Sequence, residues 1–217
     1  MLKFLQVNLK HSKNASDNLK IFVADENIDV ILIQEPWIKD STVKGLKLKN
    51  YNLFYKKEDV ARGNPRACFL AKKHVNTLFC SNFSSKDLTV VKLEQNGGSG
   101  MYIPSVYMAH DKDAPPTEFK NIINSIRPCS LVGGCARHSI WGSSEINERG
   151  ELLFDFICSF NLELCNRGST PTFIFPSSDR REGWEEVLDI TMVNCNDLMK
   201  VCNWRVSVTD SWNVLLT

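Results

Sequence analysis

The spacing of apolar and polar positions changes period along this chain, and the changes divide it into elements. Residues 3–9 carry Phe4, Leu5 and Val7 in an alternating pattern, which predicts a first strand. Residues 15–26 place Ala15, Leu19, Phe22 and Val23 at the period of an amphipathic helix. The run Asp29-Val-Ile-Leu-Ile-Gln34 is short and β-branched and predicts a buried strand ending at Glu35. Strands are expected over 51–55 and 67–70, joined by a charged loop containing Gly and Pro. Two more are expected over 89–93 and 102–108, with a Gly-rich turn at 96–100. Pro115-Pro116 opens a helix from Thr117 to about Ile126, and residues 129–132 form a brief strand. Residues 149–160 read as a helix with Leu152, Leu153, Phe156 and Ile157 on one face. Strands return at 162–165, 172–175, 187–192 and in a closing run from 205 to 216. The simplest architecture is one α/β domain over 1–217, with two packed sheets and helices outside.

Composition narrows the picture. With 217 residues the chain can bury one sizeable core, and its net charge of +1 announces no polyanion partner by itself. Basic residues do gather at Lys44, Lys47, Lys49, Lys56, Lys57, Arg62 and Arg66, either as a local basic face for a polyanion or as a solvated loop face. No run of about eighteen apolar residues is present, so no membrane span or membrane partner is expected. The N-terminus turns polar too early for a secretory leader, and it reads as the strand that begins the domain. The eight cysteines contain no C-x-x-C pair, so zinc is not expected. Cys68 and Cys158 sit in apolar runs and read as small core residues. A reducing intracellular compartment, nuclear or cytoplasmic, fits this usage better than secretion.

Several polar residues end apolar runs, and each has an ordinary reading beside a chemical one. Glu35 closes the β-branched run before Pro36 and Trp37. It is either a solvated strand-end carboxylate or a ligand for a hard cation such as Mg²⁺, which takes oxygen donors and one or two protein carboxylates. Asn8 ends the first strand and is by itself a turn former. Tyr107 follows Ser105-Val106 and is either core or a hydroxyl donor to phosphate. Asp189 is a charge inside Val187-Leu-Asp-Ile-Thr191, a placement that calls for a partner such as a His or a metal. Asp210, between Thr209 and Ser211, looks by itself like a hairpin turn. The segments 141–144 and 167–173 are rich in hydroxyl and backbone donors that build loops or hold phosphates, and Ser144 with Asn147 makes a weak capping pattern.

Taken in order, these segments carry more than each does alone. Asn8, Gln34-Glu-Pro-Trp37, Ser105-Val-Tyr107, His138-Ser-Ile-Trp-Gly142, Asn147-Glu-Arg-Gly150, Arg167-Gly-Ser-Thr-Pro-Thr-Phe173, Asp189-Ile-Thr191 and Thr209-Asp210 resemble the endonuclease domain of non-LTR retrotransposons. That family lies within the exonuclease–endonuclease–phosphatase superfamily and is related to apurinic/apyrimidinic endonucleases. The resemblance spans Phe4 to Leu216. It implies a four-layer α/β sandwich, two mixed sheets face to face with helices outside. It also implies strand nicking of DNA by hydrolysis dependent on Mg²⁺, with Mn²⁺ as a stand-in, and no small-molecule cofactor. By position, Glu35 and Asp210 would hold the metal, Asn8 would support it, Tyr107 would contact the scissile phosphate, and Asp189 would orient a catalytic His.

Two departures from the family pattern bear on activity. The family carries Gly-Asp-x-Asn a few residues before the segment matching His138–Gly142. Here no Asp or Asn stands between Asn124 and Asn147, and Gly133-Gly-Cys-Ala-Arg137 reads as a deletion. The family closes on Ser-Asp-His, whereas this chain has Thr209-Asp210-Ser211 and no His after His138. The expectation is an endonuclease by descent with catalysis impaired. The alternatives are an inactive nucleic-acid-binding remnant and a phosphomonoesterase or lipid phosphodiesterase of the same superfamily. The stop soon after Asp210, with no reverse-transcriptase segment, is what a decayed or isolated copy would show.

Overall fold

The computed structural model describes residues 2–57, 63–94, 100–110, 112, 114–126, 130–134, 136–174, 185–194, 203–209 and 212–216. In chain order the elements are β1 (Phe4–Asn8), α1 (Lys13–Glu26), β2 (Val30–Gln34), β3 (Ile38–Lys39), β4 (Thr42–Val43), β5 (Tyr51–Phe54), β6 (Ala67–Lys72), β7 (Thr77–Phe79), β8 (Leu88–Glu94), β9 (Gly100–Met108) and α2 (Thr117–Ile126). After these come β10 (Ser130–Gly134), α3 (Glu148–Ser159), β11 (Leu162–Leu164), β12 (Phe173–Ile174), β13 (Glu185–Glu186), β14 (Asp189–Asn194), β15 (Arg205–Thr209) and β16 (Trp212–Leu216). Among the described residues the strands form two six-stranded sheets, β15-β16-β1-β2-β6-β5 and β11-β14-β10-β9-β8-β7, plus two short hairpins. No helix of the described residues is long and apolar enough to cross a membrane.

Each large sheet contains one parallel pair, and a helix makes each crossover. α1 joins β1 to β2, and α2 joins β9 to β10. A parallel pair brings both carboxyl ends to one edge of its sheet, which is where α/β sheets place ligand sites. β2 reads Val-Ile-Leu-Ile-Gln and is buried along its whole length because both faces of its sheet are covered.

Three apolar clusters separate the layers. Val30, Leu32 and Phe69 of the first sheet meet Val91, Leu93 and Ile103 of the second. On its other face the first sheet packs Leu5, Val7, Ile31 and Ile33 with Leu19 and Val23 of α1. The second sheet packs Val90, Val106 and Ile190 with Phe119 and Ile122 of α2 and Leu153 and Phe156 of α3.

The structure corrects several details. α1 begins at Lys13, where Ser12 Oγ accepts from Ala15 N as an N-cap. Asn147, not Ser144, caps α3 by accepting from Gly150 N. Leu152 and Cys158 are exposed rather than core, whereas Cys68 is fully buried. The closing run is two antiparallel strands, with Thr209 opposite Trp212.

Candidate active site

Three polar bridges link the two sheets near the carboxyl ends of their parallel strands. Tyr107 Oη donates to Glu35 Oε1 at 2.9 Å. Gln34 Nε2 donates to Ser105 Oγ at 3.1 Å. Gln6 Nε2 donates to Asp189 Oδ1 at 3.2 Å. The Oε1 atoms of both glutamines are buried without a partner among the described residues, so this seam is not a closed network.

Four of the five sequence-derived residues can be placed. Asn8 sits across from Gln34 in the β1–β2 register, and Glu35 follows Gln34 directly. Tyr107 and Asp189 flank Gly133 of β10 on its two sides. Asp210 lies outside the described residues.

The backbone at this edge is strained. Lys10, His11 and Glu35 have φ of 48°, 53° and 47°, left-handed values that cost a non-glycine residue about 1–2 kcal/mol. Hydrogen bonds hold them there. Asn8 Oδ1 accepts from Lys10 N at 2.8 Å, His11 N donates to Glu35 O at 2.8 Å, and Glu35 N donates to Arg66 O at 2.8 Å. Strain held by surrounding bonds at a sheet edge is a mark of sites whose side chains must point one way. His11 Nε2 stands 3.5 Å from Glu35 Oε1.

Tyr107 is held by a second set of contacts. Its N–H donates to Asp87 O at 2.8 Å, and the Arg66 guanidinium lies 5.2 Å from its ring centroid. The Asp87 carboxylate takes both Nε and Nη2 of Arg66 and, at 2.7 Å, Lys112 Nζ. Burial pushes the Asp87 carboxyl up, but these cationic hydrogen bonds outweigh it and hold it below the usual carboxylate range. Arg149, at the start of α3, donates to the carbonyls of Ala109 at 3.0 Å and Lys112, which anchors the turn after Tyr107.

Asp189 is compensated far less. Burial pushes its carboxyl up to about 6, only partly offset by hydrogen bonds from Thr172 and Gln6 and by the charge of Lys10. Lys10 Nζ donates to Ile174 O at 3.1 Å and lies 4.0 Å from the Phe173 ring centroid.

The turn-rich segments also acquire definite jobs. Thr172 Oγ1 accepts from Leu188 N and Asp189 N, and Asn166 brackets β14 through Asp189 O and Thr191 N. Ser143 donates to Val187 O, and Ser144 binds the Glu186 carboxylate. These groups are spent on holding the strand that carries Asp189. In Asn147-Glu-Arg-Gly150, the Asn caps α3 and accepts from Arg137 N, while a Cβ on Gly150 would stand 1.8 Å from Arg137 O.

Sequence reasoning missed Lys10, His11, Arg66 and Asp87 as neighbours of the site. The signals were thin: Lys10 and His11 follow Asn8 directly, and Asp87 is an acid set just before an apolar strand. The basic group read as one loop face is split. Arg66 is at the site, Lys56 binds Ser81 and Lys49 lies elsewhere. Among the described residues, no three His, Cys, Asp or Glu side chains gather to hold a metal. The oxygen donors at the edge, Glu35 and Asn8, fit a hard cation that keeps most of its water and takes one protein carboxylate.

The chain resembles known structures over its whole length. It covers 100% of itself and 97% of the endonuclease domain of TRAS1, a telomere-specific non-LTR retrotransposon, with a TM-score of 0.84 and 22% identity. It matches a 3′ phosphatase from Neisseria bound to product DNA hairpin, with a TM-score of 0.67, 10% identity and cover of 100% and 98%. It also matches an AP endonuclease from Archaeoglobus fulgidus, with a TM-score of 0.66, 9% identity and cover of 100% and 98%. At these identities the likenesses establish the fold. No curated protein matches the chain in sequence. Residues 101–212, just over half its length, match the family model described as endonuclease-reverse transcriptase, which reaches from β9 through Tyr107 and Asp189. The chain therefore belongs to the endonuclease-reverse transcriptase family.

Proposed function

We propose that this chain is by descent a Mg²⁺-dependent DNA-nicking endonuclease of the retrotransposon type whose catalysis is impaired. It would act as one intracellular domain over 1–217, a four-layer sandwich. The alternation of α1, two sheets, and α2 with α3 in the apolar clusters supports that layering. The observation that carries the reading is the Tyr107–Glu35 hydrogen bond, which brings a phosphate-type donor and a metal-type carboxylate from two sheets to one edge beside Asn8.

In this reading Glu35, with Asp210, would hold the cation and Asn8 would support it. The bound metal would neutralise charge developing on the phosphate and the leaving oxygen. Tyr107 would donate its hydroxyl to a phosphate oxygen from a position fixed by Arg66 and Asp87. Asp189 would be the orienting carboxylate for a His that this sequence lacks after His138.

Impairment follows from what is missing at two places. β10 ends between Tyr107 and Asp189, so an Asp-x-Asn pair following it would have faced the same edge, and no Asp or Asn occurs there. A positioned acid or base typically contributes about 10²–10⁴ in rate, and a charge-stabilising donor about 10²–10³. Acting as a unit, these losses do not multiply.

Supercoiled plasmid incubated with Mg²⁺ tests this. Binding in a gel shift that weakens with salt, with nicking slowed by orders of magnitude or absent, is expected. Nicking at a rate ordinary for the family, abolished by Glu35→Ala, would overturn the impairment. Hydrolysis of small phosphate esters but not of plasmid would replace the substrate assignment.

A further inference from the structure

At the end of the first sheet opposite Glu35, the structure holds a second concentration of charge. β2 separates the two places: Asp29 precedes its first residue and Glu35 follows its last, about 20 Å apart at roughly 3.3 Å per residue. Here the end of α1, the start of β5 and the turn after β6 border an open hollow of about 650 Å³. Lys20, Lys49, Lys72, Lys73 and His74 line it, in a chain whose net charge is only +1.

Part of this charge is compensated within the protein. Lys72 Nζ binds Asp29 at 2.9 Å and Asn27, and Lys20 binds Asp17 at 2.8 Å. Lys49 and Lys73 are exposed and have no side-chain hydrogen-bond or ion-pair partner among the described residues. Between the lysines lie Leu48 and Tyr51, both half-buried. Tyr51 is fixed in place because its hydroxyl donates to Ile28 O.

The shape and chemistry select the ligand class. The lysines are spread around an open hollow, an arrangement that suits the spaced charges of a polymer more than one phosphate ion. Exposed cations flanking a fixed aromatic and apolar floor are the parts with which proteins hold single strands, phosphates on the lysines and a base against the ring. We propose that this hollow is a second nucleic-acid site, which binds a single-stranded segment independently of the Glu35 edge. Its phosphates lie on Lys49 and Lys73, and a base rests on the Leu48–Tyr51 floor. This goes beyond the endonuclease reading, since it needs neither metal nor Tyr107.

Lysine acetylation footprinting of the whole chain with a short oligothymidine, read by mass spectrometry, tests it. Slower acetylation of Lys49 and Lys73 is expected, and it should persist in Glu35→Ala. The double variant K49A/K73A, altered only at exposed positions, should bind oligothymidine with a salt slope smaller by about 1.4, the loss of two single-strand phosphate contacts. Protection confined to Lys10 and Lys112 would overturn this site while leaving the Glu35 edge standing. Unchanged acetylation throughout, an unchanged salt slope, or equal protection by a blunt duplex would each overturn it as stated.

Discussion

Asp189 makes stability depend on pH in a direction opposite to most carboxylates. Asp189 is 7% exposed, and its carboxyl is pushed up to about 6 from an ordinary value of 3.8, first by burial. Between these two values the folded protein holds a proton that the unfolded chain has released. Stability from this group therefore falls as pH rises from about 4 to 6, and the full cost stands above that window. A gap of about two pH units corresponds to about 3 kcal/mol. The substitution Asp189→Asn keeps an oxygen acceptor for Gln6 and removes the charge. Asp29, Asp87 and Glu186 are all held low, and they strengthen the fold as pH rises, so the useful quantity is the difference between wild type and variant. Urea unfolding at steps from about pH 4 to pH 8 should show the variant gaining on wild type by up to about 3 kcal/mol, with the change complete by about pH 7. A difference that stays constant across the range, or a variant that loses ground as pH rises, would refute the assignment of a buried carboxylate whose partners only partly offset its burial.

Other substitutions probe the supports of the site. Tyr107→Phe removes the hydroxyl from Glu35 and should lower the unfolding free energy by about 1 kcal/mol in urea titration. Asp87→Ala leaves Arg66 and Lys112 without their shared carboxylate and should cost about 1.5–3 kcal/mol, with a change in the near-ultraviolet signal as Tyr107 loses its fixed neighbours. Gly150→Ala would ordinarily favour a helix by up to about 1 kcal/mol, but here the new Cβ meets Arg137 O, so thermal melting should show a net loss.

The chain displays some of this site plainly and hides the rest. Glu35 and Tyr107 could be read because each ends an apolar strand, where a polar residue stands out against the pattern. That they touch could not be read, since 72 residues separate them and the contact exists only once two sheets face each other. The Gln6–Asp189 bridge, across 183 residues, is the extreme case. Arg66 and Asp87 carried no spacing signal because their pairing joins the starts of two separate strands. β3, β4 and β7 leave no mark on the pattern because two or three residues are too few to show a period. Leu152 and Cys158 face solvent because one residue's rotation about a helix decides between core and solvent, and α3 buries the narrower stripe of Gly150, Leu153, Phe156 and Ile157. In the donor-rich turns, Ser143, Ser144 and Thr172 hold the approach to β14 through Val187 O, the Glu186 carboxylate and the N–H groups of Leu188 and Asp189, a use that the same composition serves as well as phosphate binding.

The assignment of the Glu35 edge as a cation site rests on oxygen donors alone, so it is best tested without any reaction. Water-proton relaxation in the presence of Mn²⁺ reports binding directly. Wild-type protein should show saturable enhancement that Mg²⁺ competes away, and Glu35→Gln, which keeps an acceptor for Tyr107 but loses the charge, should show little. Equal enhancement in both proteins, or none in wild type, would contradict the account.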